Sequence, residues 1–290
     1  MTRTPSLPLA LVIALALAGL LHGHGNHEER VELYTAKIKR QPDDVVARHQ
    51  LALAYVENDD WKLALEQLDN ADSLKPPGSE LDFSVTRGRA LAIGDDLDGA
   101  RQVLDTYLGK HADDGPALLE RARIFAAQGQ WAPCLADYRG ALKLISHPDP
   151  DVFLEVAEIL SQQKHGDEAI ATIQRGIASQ GNVPALVLKA MELESAAGHY
   201  DAALTRIDTM TKLMPRPEPM LAKRAALLAK AGRHDESRRA WEDLARHIES
   251  LPNLERGSAT LTEISRQAQV ALAALNPAHN PTPNRSPPSP

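Results

Sequence analysis

The 290-residue sequence has few aromatic residues and no clustered basic segment. Aromatic residues make up 4% of the chain, alanine and leucine are abundant, and no alternating β-branched runs occur, so the composition favours an all-α fold. The net charge of -7 is spread along the chain. Because a nucleic-acid-binding surface needs a clustered basic face, we expect no nucleic-acid partner.

Cysteine is nearly absent, since Cys134 is the only one. The chain therefore has no internal disulfide to form, and its stability must come from packing. Cys134 takes the place of a small residue in a helical pattern, which predicts a buried apolar side chain rather than a reactive thiol.

Motifs for catalysis are also lacking. The sequence has no glycine-rich phosphate loop, no paired-cysteine metal motif and no nucleophile elbow. We therefore expect a protein that is not an enzyme and that needs no cofactor.

The one long apolar run lies at the N-terminus, from Leu7 to Leu21, after Arg3 and before Gly23 and Gly25. This pattern predicts a secretory signal peptide over residues 1–25. A helix of about fifteen residues spans about 22 Å, less than the ~30 Å apolar core of a bilayer, which favours cleavage over a retained anchor. We expect export to the periplasm or cell envelope, with no stable membrane insertion after cleavage.

Three histidines, His22, His24 and His27, lie beside the predicted cleavage site. Imidazoles near a free amino terminus suit Cu²⁺ or Ni²⁺, which favour nitrogen ligands. The alternative hypothesis is therefore a metal-handling accessory protein that uses these histidines.

A helix hairpin is predicted from Val45 to Pro76, because two apolar helical patterns flank a polar break. Its small residue Ala64 returns at separations of 36, 34, 35, 34 and 34 residues. The recurring residues are Ala64, Ala100, Cys134, Ala169, Ala203 and Ser237. A two-helix period of about 34 residues is typical of tetratricopeptide repeats.

The chain resembles tetratricopeptide-repeat (TPR) proteins over about Val45 to Ser250. The first hairpin carries the family's motif types at Leu51, Ala52, Tyr55, Ala64, Leu68, Ala71 and Pro76. The third and fifth hairpins match through residues such as Gly129, Trp131 and Tyr138, and Gly198, Tyr200 and Pro215. The pattern departs where Arg87, Arg121 and Arg224 replace the usual leucine and where Gly176 replaces an alanine.

The resemblance implies an all-α, right-handed α-solenoid, a superhelix of TPR hairpins with a capping helix at each end. The predicted segments are a signal peptide at 1–25, a capping helix at 26–43, six hairpins at 44–252, a second capping helix at 253–276, and a disordered proline-rich tail at 277–290.

Turn residues recur with the hairpins. Gly129, Gly198 and Gly232 follow first helices, where a left-handed residue is expected. Four aspartates begin second helices, and this periodic placement favours helix capping over catalysis. They are Asp98, Asp167, Asp201 and Asp235.

A concave groove lined by the first helices is the expected working surface, and its predicted partner is a protein or peptide. The outward positions form a basic block near Arg89 and Arg123, an acidic block, and a second basic block. The predicted groove residues are His49, Leu53, Arg89, Ile93, Arg123, Glu155, Glu158, Glu192, Lys223 and Lys230. Val56, Thr86, Glu120, Ser161 and Lys189 are assigned to the same outward faces.

Overall fold

The computed structural model describes residues 24–275, and every regular element in that range is an α-helix. The predicted all-α class is therefore confirmed for this range. The described residues form two compact units, residues 24–151 and residues 152–275. The predicted tail at 277–290 and nearly all of the predicted signal peptide lie outside the described residues.

The first unit consists of one lone helix followed by three hairpins. The helices are α1 (His24–Arg40), α2 (Val45–Glu57) with α3 (Trp61–Leu74), α4 (Ser84–Ile93) with α5 (Leu97–Leu108), and α6 (Gly115–Ala127) with α7 (Trp131–Leu144).

The second unit consists of three hairpins and two further helices. They are α8 (Pro150–Gln162) with α9 (Gly166–Gln180), α10 (Pro184–Ala196) with α11 (Tyr200–Leu213), α12 (Glu218–Lys230) with α13 (His234–Ser250), then α14 (Asn253–Arg256) and α15 (Ala259–Ala274). The four-residue α14 was not predicted as a separate element.

Small residues mark the helix crossings of all six hairpins, as the period predicts. Each of the six side chains is 0% exposed, namely Ala64, Ala100, Cys134, Ala169, Ala203 and Ser237. The hydroxyl of Ser237 donates a 2.7 Å hydrogen bond to the carbonyl oxygen of Ala225, so its polar atom is satisfied inside the α12–α13 crossing. The burial predicted for Cys134 is confirmed.

The turns inside the hairpins use a left-handed residue. Gly129, Gly198 and Gly232 have φ angles of 69°, 81° and 76°, which confirms the prediction for these glycines. The other three hairpins place L-residues there, since Asp59, Asp95 and Lys164 have φ angles of 62°, 65° and 64°. A residue with a β-carbon is unfavourable in this left-handed conformation, and aspartate tolerates the conformation better than lysine does.

The capping role predicted for the periodic aspartates is wrong for Asp98, because Asp96 is the cap of α5 and accepts a 3.0 Å hydrogen bond from the Gly99 amide. At α11 and α13 the cap positions hold His199 and Arg233, which make no side-chain capping bond. At α9 the cap position holds His165 and likewise makes none. Each of the four periodic aspartates is the second residue of its helix, where a negative charge still opposes the helix dipole.

Two of these aspartates join successive hairpins instead. Asp98 of α5 accepts a 3.0 Å hydrogen bond from the Gln128 amide at the end of α6. Asp201 of α11 accepts a 2.9 Å bond from Arg233 at the start of α13. The periodicity of these residues therefore reflects contacts between repeats as well as within them.

The three arginines that depart from the family pattern also join successive hairpins. Each guanidinium lies on a first helix and donates to a carboxylate on the second helix of the preceding hairpin. The pairs are Arg87 with Asp69 and Asp72, both at 2.7 Å, Arg121 with Asp105 at 2.8 Å, and Arg224 with Asp208 at 3.2 Å.

Arg121 makes the most extensive of these contacts. Its Nε and Nη2 atoms also donate to the two carboxylate oxygens of Asp137 on α7, at 2.7 Å and 2.9 Å. Asp137 is only 7% exposed, so this bidentate pair supplies its charge compensation. The hydrogen bonds and charge of Asp137, and more weakly those of Asp105, raise the pKa of Arg121 despite the opposing effect of burial. One side chain thus connects α5, α6 and α7.

Single helices pack on the hairpins at either end of the described range. In the first unit, α1 packs on α2, and Arg30 forms an ion pair with Glu57. In the second unit, Leu261, Ile264 and Ala268 of α15 are buried in a cluster with residues of α12 and α13.

Candidate partner-binding groove

An open groove with a volume of about 830 Å³ lies within the second unit. Its walls come mainly from the first helices α8, α10 and α12. The residues that line it are Leu154, Ala185, Leu188, Lys189, Met191, Glu192, Ser195, Ala196, Ile207, Met220, Lys223, Ala226, Leu227 and Lys230. We refer to this surface below as the groove.

The floor of the groove is apolar. Leu188 and Met191 of α10 are half-buried and pack against the core cluster beneath them. Ala185, Ala196 and Ala226 are exposed, so small side chains leave room for a partner to approach the helix backbones. Methionine adapts its shape readily to an apolar ligand.

Lys189 is held in an ion-pair triad at the groove. Its ammonium donates to Glu158 at 2.6 Å and to Glu192 at 3.3 Å. Partial burial acts to lower the pKa of Lys189, but the bonds and negative charges of Glu158 and Glu192 together outweigh burial, and the pKa is raised. Burial acts to raise the pKa of Glu158, and its bonds to Lys189 and Gln162 reverse the shift, so that the pKa is lowered. The Lys189 ammonium therefore offsets one of the two negative charges of Glu158 and Glu192.

Lys223 and Lys230 are exposed on α12 and have a different environment. The Lys230 ammonium donates to the carbonyl oxygen and the hydroxyl of Ser195, at 3.0 Å and 3.1 Å, and lies 5.9 Å from the ring centre of Tyr200. No carboxylate of the described residues forms an ion pair with either lysine. These two cations are therefore available to a negatively charged partner.

A second cavity, of about 440 Å³, adjoins the groove between α12 and α15. It shares Lys223 and Ala226 with the groove, and Ile264 and Gln267 contribute its wall on α15. The apolar surface along α12 thus continues toward the last helix of the unit.

The predicted groove residues divide between the two units. Glu192, Lys223 and Lys230 line the groove, and Glu158 pairs with the groove residue Lys189. Glu155 lies half-buried on α8. Within the predicted acidic block, Lys189 lies between Glu158 and Glu192 and offsets part of their negative charge.

In the first unit, the predicted outward residues contact one another. His49 Nε2 and Thr86 Oγ1 share a hydrogen bond of 2.8 Å, and the His49 ring lies on Phe83 with 4.7 Å between ring centres. Burial lowers the pKa of His49. Placing Val56 and Thr86 on the outward face was wrong, because both are buried at 0% and 7% exposure.

The other predicted residues of the first unit also have neighbours. Arg123 donates to Glu120, one turn earlier on α6, at 3.0 Å. Ile93 packs against the core cluster of the first two hairpins, while Leu53 and Arg89 are half-buried on α2 and α4.

Sequence reasoning missed the apolar lining of the groove. Leu154, Leu188 and Met191 were not predicted, although the apolar residues Leu53 and Ile93 were assigned to the groove on first helices of the other unit. The sequence of α10 did indicate a second apolar surface, because this helix has more apolar residues than one packed face requires. They are Leu186, Val187, Leu188, Ala190, Met191 and Leu193.

The histidines of the metal hypothesis are only partly described. His22 lies outside the described residues, His24 begins α1, and His27 is half-buried on α1. Within residues 24–275, no group of three or more potential ligand side chains is arranged to hold a metal ion. Among the helices of that range, none has the length and apolar character needed to cross a bilayer.

The sequence matches no family model and no curated protein. Solved structures with a similar arrangement of helices were found instead. PilF of Pseudomonas aeruginosa aligns with a TM-score of 0.53 and 15% identity, over 83% of this chain and 99% of its own. A thermophilic TPR protein of Thermus thermophilus aligns with a TM-score of 0.51 and 20% identity, over 64% of this chain and 96% of its own.

A third similar structure is a chain of the Cut9–Hcn1 hetero-tetramer of the APC/C. It aligns with a TM-score of 0.51 and 13% identity, over 87% of this chain and 48% of that chain. At these identities the similarity concerns the fold. The regular helix hairpins, their small residues at the crossings and these structural neighbours together show that the chain has the fold of the tetratricopeptide-repeat proteins.

Proposed function

We propose that the protein is a non-enzymatic interaction scaffold or assembly factor of the periplasm or cell envelope. It holds a peptide or helix of a partner protein in the groove of the second unit.

The observation that carries this proposal is the groove itself. An apolar floor formed by Leu154, Leu188 and Met191 lies beside the exposed cations of Lys223 and Lys230. Apolar surface on a folded protein is stabilised when a partner removes it from water, and charges at its edge select and orient that partner. Both components of a protein-binding surface are therefore present on one face.

The chemistry of the groove supports binding over catalysis. Glu192 is its only carboxylate, and this residue pairs with Lys189. Enzymes tune a glutamate base by burial and neighbouring charges, whereas the Glu192 side chain is 67% exposed to water.

The use of the same fold in a protein assembly supports a protein partner. The similar chain of the Cut9–Hcn1 structure belongs to a hetero-tetramer. We propose that this protein likewise acts by contacting other proteins.

Placement in the envelope rests on the leader predicted for residues 1–25. Mass spectrometry of the protein recovered from a periplasmic fraction tests this part of the proposal. We expect a new N-terminus near Gly23 or Gly25, whereas recovery of the uncleaved chain from the cytoplasm would contradict it.

Site-specific photo-crosslinking tests the binding proposal. A photoreactive residue at Ala226 in the groove should capture a partner protein from envelope extract, and the same residue at Ala178, exposed on α9, is the matched control. Capture of the same proteins from both positions, or from neither, would contradict a partner held in the groove.

A further inference from the structure

We infer that the groove binds an amphipathic α-helix that carries two carboxylates seven residues apart, with apolar residues between them on the same face. This inference rests on the proposed function and specifies the chemistry of the partner.

The charge of the partner follows from the lysines. Lys189 is compensated by Glu158 and Glu192, whereas Lys223 and Lys230 line the groove and form no ion pair with a carboxylate of the described residues. The chain as a whole has a net charge of -7, so this cationic surface is a local departure from the overall charge. Carboxylates of a partner would supply the missing counter-charge.

The helical form of the partner follows from the small number of hydrogen-bond acceptors in the groove. An extended peptide brings unpaired backbone N–H groups, which need acceptors when they are buried. Lysine side chains only donate, so the side-chain acceptors of the groove are limited to Ser195, which accepts from Lys230, and Glu192, which accepts from Lys189. Two residues are too few to satisfy the successive backbone N–H groups of an extended peptide. No other side chain that lines the groove has an oxygen acceptor. A helix satisfies its own backbone, so it can cover this floor without such acceptors.

The spacing follows from one face of α12. Lys223, Ala226, Leu227 and Lys230 all line the groove and stand at positions i, i+3, i+4 and i+7. Two residues seven apart on a helix are separated by about 10.5 Å along its axis. A partner helix lying along α12 matches both lysines when its carboxylates have the same separation.

The partner's residues between the two carboxylates should be apolar, because the groove surface between the two lysines is apolar. Between the two lysines, α12 presents Ala226 and Leu227, and Leu188 and Met191 of α10 form part of the apolar floor. A partner with leucine three and four residues after its first carboxylate would place apolar groups on this floor.

Peptide binding to the full chain tests the inference. The probe is a fluorescent alanine-based helical peptide with two glutamates seven residues apart and leucines three and four residues after the first. We expect saturable binding in fluorescence anisotropy that weakens as salt is raised. Two control peptides should each bind at least about tenfold more weakly: one of the same composition with its glutamates four residues apart, and one with a central proline that prevents the helix.

Charge reversal provides the matched variants. Lys223→Glu combined with Lys230→Glu should weaken binding at least about tenfold, and a peptide with lysines in place of glutamates should recover it. Lys143→Glu combined with Lys212→Glu changes the net charge equally at exposed positions outside the groove, and should leave binding within about twofold. Circular dichroism of each variant checks that it is folded.

The possible results separate the inference from the proposed function. Absence of peptide binding, equal binding by the groove and control variants, or equal binding of the helical and proline-containing peptides would each overturn the inference. If Ala226 still captures a partner in the crosslinking experiment, the proposed function stands without it. If crosslinking fails as well, both are wrong.

Discussion

The two units use the outward side chains of their first helices differently. In the first unit, His49 bonds to Thr86 and Arg123 bonds to Glu120, so predicted binding residues contact one another. In the second unit, Lys223 and Lys230 remain exposed beside an apolar floor. The comparison teaches that repeats of one fold can use equivalent faces for internal contacts or leave them open to solvent.

The largest expected effect concerns two arginines, Arg121 of the first unit and Arg224 of the second, whose aspartate partners differ in burial. Arg121→Leu should lower the free energy of unfolding by about 3 kcal/mol, because it leaves Asp137 buried without its counter-charge. Arg224→Leu in the second unit should cost only about 0.5 kcal/mol, since both partners of its single ion pair are about a third to a half exposed. Urea denaturation measures both, and equal losses would contradict this difference.

The helix crossings should behave alike in the two units. Ala64→Leu and Ala203→Leu should each lower stability by about 2 kcal/mol, because both positions are 0% exposed and have no room for a larger side chain. Ala136→Leu, at an exposed position of α7, is the control and should leave the thermal midpoint nearly unchanged. An unchanged midpoint in Ala64→Leu would show that the proposed crossing is wrong.

A gain in stability is expected at the turn of the α8–α9 hairpin. Lys164 has a φ of 64°, so Lys164→Gly should stabilise the protein by about 1 kcal/mol. Asp95→Gly in the first unit should gain less, because aspartate tolerates this conformation better. Ser161→Gly, inside α8, should instead destabilise, and thermal denaturation of the three variants would show the order. A loss of stability in Lys164→Gly would contradict the assigned strain.

Acid should weaken the triad of the second unit. The pKa of Glu158 is lowered from its ordinary 4.5, so the stability that its pairing provides is present above that pH and is lost as the pH falls through the lowered pKa. The contribution should be less than about 1 kcal/mol, because the side chain is partly exposed. Glu158→Gln should remove this part of the acid dependence, as measured by denaturation at several pH values. An identical acid profile in wild type and variant would exclude the pairing.

The smallest effect is expected from His49 in the first unit. Burial lowers its pKa from 6.5, so the unfolded chain takes up a proton first, and stability falls as the pH drops below that value toward the folded pKa. His49→Gln should reduce the stability difference between about pH 7.5 and pH 5.5. His147→Gln, at an exposed position, is the control and should leave that difference unchanged.

Much of the fold could be predicted from the sequence, because the repeat depends on local rules. The crossing of two helices requires a small residue, and Ala64, Cys134 and Ser237 show that several residue types meet this requirement at the same period. Glycine identified three of the six turns. The other three were missed because an aspartate or lysine can adopt the same φ at a cost in energy.

The groove was predicted only in part, since helical spacing places a residue on a face without revealing its neighbours. Lys223 and Lys230 line the groove, but the pairing of Lys189 with Glu158 depends on the register between α8 and α10. Arg121 appeared to be a departure from the family pattern. Its role emerged only when Asp105 and Asp137 were found beside it.

The arginine pairs bear on how such an array can lengthen by duplication. Arg121 and Arg224 each lie 16 residues after the partner aspartate on the preceding hairpin. A segment with an arginine on its first helix and an aspartate on its second carries both halves of this contact. If such a segment were duplicated in tandem, the arginine of the copy would lie beside the aspartate of the original segment and form an ion pair with it. The array would then gain a repeat without evolving a new interface.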